Sequence, residues 1–138
     1  MPNYPVIVGV GQLTNHLKSL DEAIEPAEMM ARVARAAADD AGSPDLLARL
    51  DSVQVVNILG WQYPDAPGLL AGMIGATPAH KLYSAVGGDT PQRLVNETAQ
   101  AIVEGRTRIA LLAGVEGMAA RRVARRQGTR VAWPISIR

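Results

Sequence analysis

Residues 81–118, KLYSAVGGDTPQRLVNETAQAIVEGRTRIALLAGVEGM, constrain the fold more than any other stretch of the chain. A short apolar run over 80–86 stops at Gly87-Gly88. Asp89-Thr90-Pro91 then reads as a helix start, with a capping side chain followed by a proline whose missing N–H costs nothing in the first turn. Leu94, Val95, Thr98, Ala101 and Ile102 recur at helical spacing, Gly105 ends the helix, and 109–113 is a second apolar run. Strand, helix, strand in that order is a βαβ unit, which implies parallel strands and a right-handed crossover. The expected class is therefore α/β.

The flanking sequence adds elements to this unit. Residues 5–11 are apolar and β-branched and close on Gly9 and Gly11, which predicts a buried strand. Gly9-Val10-Gly11 invites a dinucleotide-site reading, but Thr14 stands where the third glycine belongs, and no helix opens there. A tight strand exit is the simpler account. Pro26 begins a helix that carries Met29, Met30, Val33, Ala34, Ala37 and Ala41 as one stripe, and Gly42 stops it. Leu46, Leu47 and Leu50 mark a further helical turn, and 52–59 is a second strand whose near-continuous apolar run suits a sheet covered on both faces. The loop 60–68 holds Trp61 and Tyr63, which fit core packing better than ligand contact. Leu69, Leu70, Met73 and Ile74 make a short helix.

These residues resemble the thiolase superfamily, meaning acetyl-CoA acetyltransferases and sterol-carrier-type thiolases. The matching pieces are Ile102, Gly105, the run Ala110-Leu111-Leu112-Ala113-Gly114, then Glu116 and Met118, together with the opening PVIVGVGQ. The resemblance covers about residues 5–120 and only the family's first half. It implies a thiolase-like N-terminal α/β half: a mostly parallel sheet with helices on both faces. The strands are expected near 5–11, 52–59, 81–86 and 108–114, with helices near 26–41, 66–74 and 90–104. In chain order the four strands would lie 3-2-1-4, with the first and fourth central. Residues 1–120 would form the domain, and 121–138 a basic tail that a truncation could have shortened.

The same resemblance implies acyltransferase chemistry in lipid metabolism, with CoA or acyl-CoA as substrate and no metal or covalently bound cofactor. By the family's spacing the nucleophile position falls at Gly88. In the family a cysteine there gains thiolate character from the helix dipole and attacks the thioester. The chain has no cysteine, so disulfides, zinc–thiolate sites and thiol nucleophiles are excluded. No catalytic residue is assigned. Gly87, Gly88, Asp89 and Thr90 remain candidate substrate-binding residues, because backbone N–H groups at a glycine turn entering a helix suit an oxyanion. A plain helix cap is the competing account. His16 and His80 sit in no family motif and read as structural or solvent-facing.

Composition narrows the partners. The net charge is +1, which gives no global case for nucleic acid or membrane binding. No apolar run approaches a membrane span, and the start MPNYPVIVGVG lacks signal-peptide features, so a cytoplasmic protein is expected. After Glu116 there are six arginines and no acid, and 119–126 reads as a solvated basic helix rather than a nucleic-acid surface. Leu94, Val95, Thr98, Ala101, Ile102 and Val103 give the 91–104 helix a broad apolar surface, part of which would face water without the family's second sheet, and the resemblance also implies pairing of subunits through the strand over 80–86. The expected partners are therefore an acyl-CoA or lipid thioester and either a second copy of the chain or a second-half thiolase-like protein. The rival function is a non-catalytic scaffold or lipid-carrier-associated interaction protein.

Overall fold

A computed structural model describes residues 3–133. The end of the predicted basic tail, 134–138 with Arg138, lies outside the described residues. Three short strands, β1 (Ser52–Val55), β2 (His80–Tyr83) and β3 (Ala110–Ala113), form one parallel sheet in the order β2-β1-β3. Val53 stands opposite Lys81 on one side and Leu111 on the other. Four α-helices accompany the sheet: α1 (Pro26–Asp40), α2 (Ala66–Ile74), α3 (Thr90–Val103) and α4 (Met118–Arg126).

Strand periodicity sorts the two faces. Val53 and Val55 point to the side of α1 and α2 and are fully buried with Met30, Ala31, Leu70 and Ile58. Ser52 and Gln54 point to the side of α3, where the Gln54 Nε2 donates to Ser52 Oγ and to Thr98 Oγ1 at 3.0 Å each. Ser52 Oγ also lies 2.7 Å from His80 Nδ1. The apolar core therefore sits under α1 and α2, and a satisfied polar chain sits under α3. His80, expected to be structural or solvent-facing, is exposed and hydrogen-bonded to Ser52.

Helix starts follow the sequence signals with one change. Asp65 caps α2 by accepting the Gly68 N–H at 3.0 Å, and proline occupies the first turn of α1, α2 and α3. Asp89 holds the N-cap position of α3, but its side chain makes no capping hydrogen bond. Thr90 is instead buried as the first helical residue, with its hydroxyl 3.5 Å from the Ala85 carbonyl. The turn marked by Leu46 and Leu47 is a 3-10 helix, Pro44–Arg49.

The predicted first strand is not in the sheet, and this corrects the order 3-2-1-4. The predicted second and fourth strands pair directly, so the observed order in those terms is 3-2-4. Residues 3–13 belong to no helix or strand, and the stretch around Gly9–Gly11 lies against α1. A Cβ at Gly9 would stand 2.1 Å from the Ala37 carbonyl oxygen, and one at Gly11 would stand 2.3 Å from that of Val33. Only glycine lets the two backbones approach this closely. Among the described residues the segment's one hydrogen bond runs from the Val10 N–H to Asp40 Oδ2 at 2.9 Å. Helix contact through glycines, rather than strand pairing, is what positions it.

Asp51 closes the strand-entry end of the sheet. One carboxylate oxygen accepts the Ile109 N–H at 3.0 Å and the Arg108 N–H at 2.8 Å. These two bonds, Ile109 first, hold the Asp51 pKa below the usual carboxylate value. A depressed folded-state pKa contributes stability above the unfolded value, and that stability is lost as pH falls through the folded value. Asp51→Asn should therefore lower the stability at pH 7 by about 1 kcal/mol after allowance for solvent, read as a lower urea midpoint. The gap from wild type should close as pH drops below about 4. Parallel pH profiles for the two proteins would contradict this account.

Candidate functional site

The three strands end together, and the loops that leave them carry a polar network. Asn57, just past β1, donates its backbone N–H to Ser84 Oγ and its Nδ2 to the Ser84 carbonyl, at 3.1 Å each. The Gln62 Nε2 donates to Asn57 Oδ1 at 3.0 Å and also contacts the Ile58 carbonyl. Tyr83, the last residue of β2, donates its hydroxyl to Gln62 Oε1 at 3.0 Å and accepts the Ile58 N–H at 3.2 Å. Burial raises the Tyr83 phenol pKa above its ordinary value. Ligands of open α/β sheets bind beyond the carboxyl ends of the strands, which is where this network lies.

The chain leaves the network directly into the candidate turn. Gly87 to Thr90 joins β2 to α3, and the Thr90 N–H closes the turn on the Gly87 carbonyl at 3.2 Å. The Gly88 and Asp89 amides have no hydrogen-bond partner among the described residues. A Cβ at Gly88 would meet nothing within 4 Å, so the space over the turn is open. Gly88 and Asp89 are exposed, whereas Thr90 is buried. The four predicted residues are thus together, but they do not line a cavity. A cleft of about 540 Å3 lies between residues 11–17, α1 and the 114–122 segment, and Gly87–Thr90 does not border it. A second, of about 840 Å3, lies between α4 and the loop after β1, again away from the turn.

The β3 exit is held by Glu116. Its carboxylate accepts the N–H groups of Leu59 at 3.1 Å, Gly60 at 2.6 Å and Gly117 at 2.7 Å, tying the exits of β1 and β3 together. Tyr63 is core: it is 3% exposed, its hydroxyl accepts the Ala27 N–H at 3.2 Å, and it is hydrogen-bonded to Glu25. Burial, with the Glu25 charge beside it, raises its pKa well above the ordinary phenol value. Burial in turn raises the pKa of Glu25. Trp61 packs against the core edge and meets Trp133 edge-on, with ring centroids 5.1 Å apart.

Known structures share the fold. The chain is similar to a monomeric SCP2-thiolase like protein type 1 from Mycobacterium smegmatis, with a TM-score of 0.71 and 31% identity over 83% of this chain and 23% of that one. It is also similar to 3-oxoacyl-[acyl-carrier-protein] synthase III from Aquifex aeolicus VF5, with a TM-score of 0.61 and 15% identity over 71% of this chain and 32% of that one. The fold is thiolase-like. No protein-family model and no curated protein matches the sequence.

The thiolase-like chain spans 23% and 32% of the lengths of these two structures. No helix among its described residues is long and apolar enough to cross a membrane. No group of three or more His, Cys, Asp or Glu side chains among them is placed to hold a metal ion. The sequence reading found the glycine turn but missed Asn57, Gln62, Tyr83 and Ser84. A signal existed: Asn57, Ser84 and Glu116 are polar residues that each follow an apolar strand within a few positions.

Proposed function

We propose that this thiolase-like chain binds an acyl-CoA or related lipid thioester at Gly87, Gly88, Asp89 and Thr90, and has no thiolase turnover of its own. The observation that carries the reading is the position of this turn, between the end of β2 and the start of α3 in a thiolase-like fold. Two unpartnered amides and the positive end of the α3 dipole suit a thioester oxygen or an anion. Position 88 carries no side chain and the sequence has no cysteine, so no thiol is present to accept the acyl group. CoA enters as a ligand, and no covalently held cofactor is invoked. The proposed protein partner is a second copy or a second-half thiolase-like protein. The exposed apolar segment over residues 4–10 favours the second reading, a non-catalytic scaffold.

Isothermal titration of the full chain with acetyl-CoA tests the first reading. Saturable binding is expected, with no acetoacetyl-CoA cleavage above background. Gly88→Glu fits the open space at the turn and should keep the fold, while its carboxylate weakens acetyl-CoA binding by about tenfold. Cleavage by the pure chain, or unchanged affinity in Gly88→Glu, would overturn the assignment.

A further inference from the structure

Three arginines that the thioester reading does not use converge on the cleft of about 840 Å3. Arg121 and Arg125 are four residues apart on α4 and so share a face. Gly128 follows the helix at φ +69°, a left-handed conformation that favours glycine, and the turn brings Arg130 to the same cleft. The facing wall is the loop after β1, with Leu59 and Trp61. The Arg121 Nη1 donates to the Gly60 carbonyl at 3.2 Å, which ties α4 to that wall.

Among the described residues no carboxylate pairs with Arg121, Arg125 or Arg130. Glu116, the acid beside the loop, is committed to three backbone amides. Guanidinium forks match phosphate oxygens two at a time, and several on one concave surface suit a polyphosphate better than a single carboxylate. The Trp61 indole on the opposite wall offers apolar area for an aromatic ring. The volume falls within the range of small-molecule sites.

We propose that this cleft binds a nucleoside diphosphate, with Arg121, Arg125 and Arg130 on the pyrophosphate and Trp61 against the base. The site goes beyond the thioester reading. It shares no residue with the glycine turn; because acetyl-CoA itself contains an adenosine diphosphate, Gly88→Glu, which should weaken acetyl-CoA and leave ADP binding unchanged, keeps the two assignments distinguishable.

The test titrates the full chain at low salt with ADP and, separately, with inorganic pyrophosphate, by calorimetry and tryptophan fluorescence. Saturable binding of both is expected, ADP the tighter, with a change in indole emission. The double variant Arg125→Gln/Arg130→Gln should weaken ADP by at least about tenfold. Arg126→Gln removes a charge from the same helix but outside the cleft, and should stay within roughly twofold. All three side chains are exposed, so these variants should fold, and matching urea midpoints check that. Absence of saturable binding up to ~1 mM ADP would overturn the proposal. An Arg126→Gln loss equal to that of the double variant would also overturn it, since net charge alone would then explain binding. Pyrophosphate binding as tightly as ADP would remove Trp61 and the base from the site.

Discussion

Lysine at both Ile7 and Val8 is expected to convert a self-associating chain into a 14.6 kDa monomer. Tyr4, Val6, Ile7, Val8 and Val10 are 77, 71, 80, 59 and 67% exposed, on a segment outside any helix or strand and without a strand partner among the described residues. An apolar segment whose backbone N–H and C=O groups, the Val10 N–H apart, have no partner among the described residues is the feature that edge-to-edge pairing uses. Exposed apolar runs of this size also mark interfaces. The expected interface therefore lies on residues 4–10 rather than on α3 or the strand over 80–86. On α3, Leu94 and Thr98 are buried against the sheet and Ile102 is half-buried, which leaves Val95 and Val103 as its exposed apolar side chains. Sedimentation at micromolar concentration should show wild type above the monomer mass and Ile7→Lys/Val8→Lys at it, with unchanged circular dichroism. Val95→Lys should leave association in place. A wild-type chain that sediments as one compact monomer would sink the prediction. Dissociation by Val95→Lys alone would return the interface to α3.

Leu70→Ala is expected to cost about 2–5 kcal/mol, the range for emptying a well-packed core site. Leu70 is fully buried on α2, in the cluster that joins α1 and α2 to the inner face of β1. Domains have only about 5–15 kcal/mol of stability to lose, so the variant should unfold at much lower urea. Met118→Ala gives the contrast. Met118 is 41% exposed at the start of α4, and its loss should shift the midpoint by well under half as much. Equal shifts for the two variants would mean that the α1–α2 cluster is not the centre of the core.

The helices and the βαβ unit were legible in the sequence because their signals are local. Proline at the first turn, a stripe of small and apolar residues at helical spacing, and a glycine stop are each complete within about fifteen residues. The strands of the unit were found for the same reason, although β1 and β2 proved shorter than the apolar runs that contain them. The missing nucleophile was legible without any structure, since absence of cysteine is a fact of composition.

Strand membership was different. Residues 5–11 have the composition of a buried strand, but whether a strand joins a sheet depends on a partner that is distant in the chain. Here β1 pairs directly with β3, and the glycines at 9 and 11 dock the segment on the α1 backbone instead. Local pattern could not distinguish these outcomes, because both require glycines and an extended backbone. The polar network of Asn57, Gln62, Tyr83 and Ser84 joins two strand exits more than twenty residues apart in sequence. The arginine cleft likewise needs α4 to lie across the loop after β1, a contact between residues 60 and 121. The sequence determined the elements and the absent thiol; the tertiary structure decided which strands pair and which distant side chains face each other, because those choices rest on non-local packing.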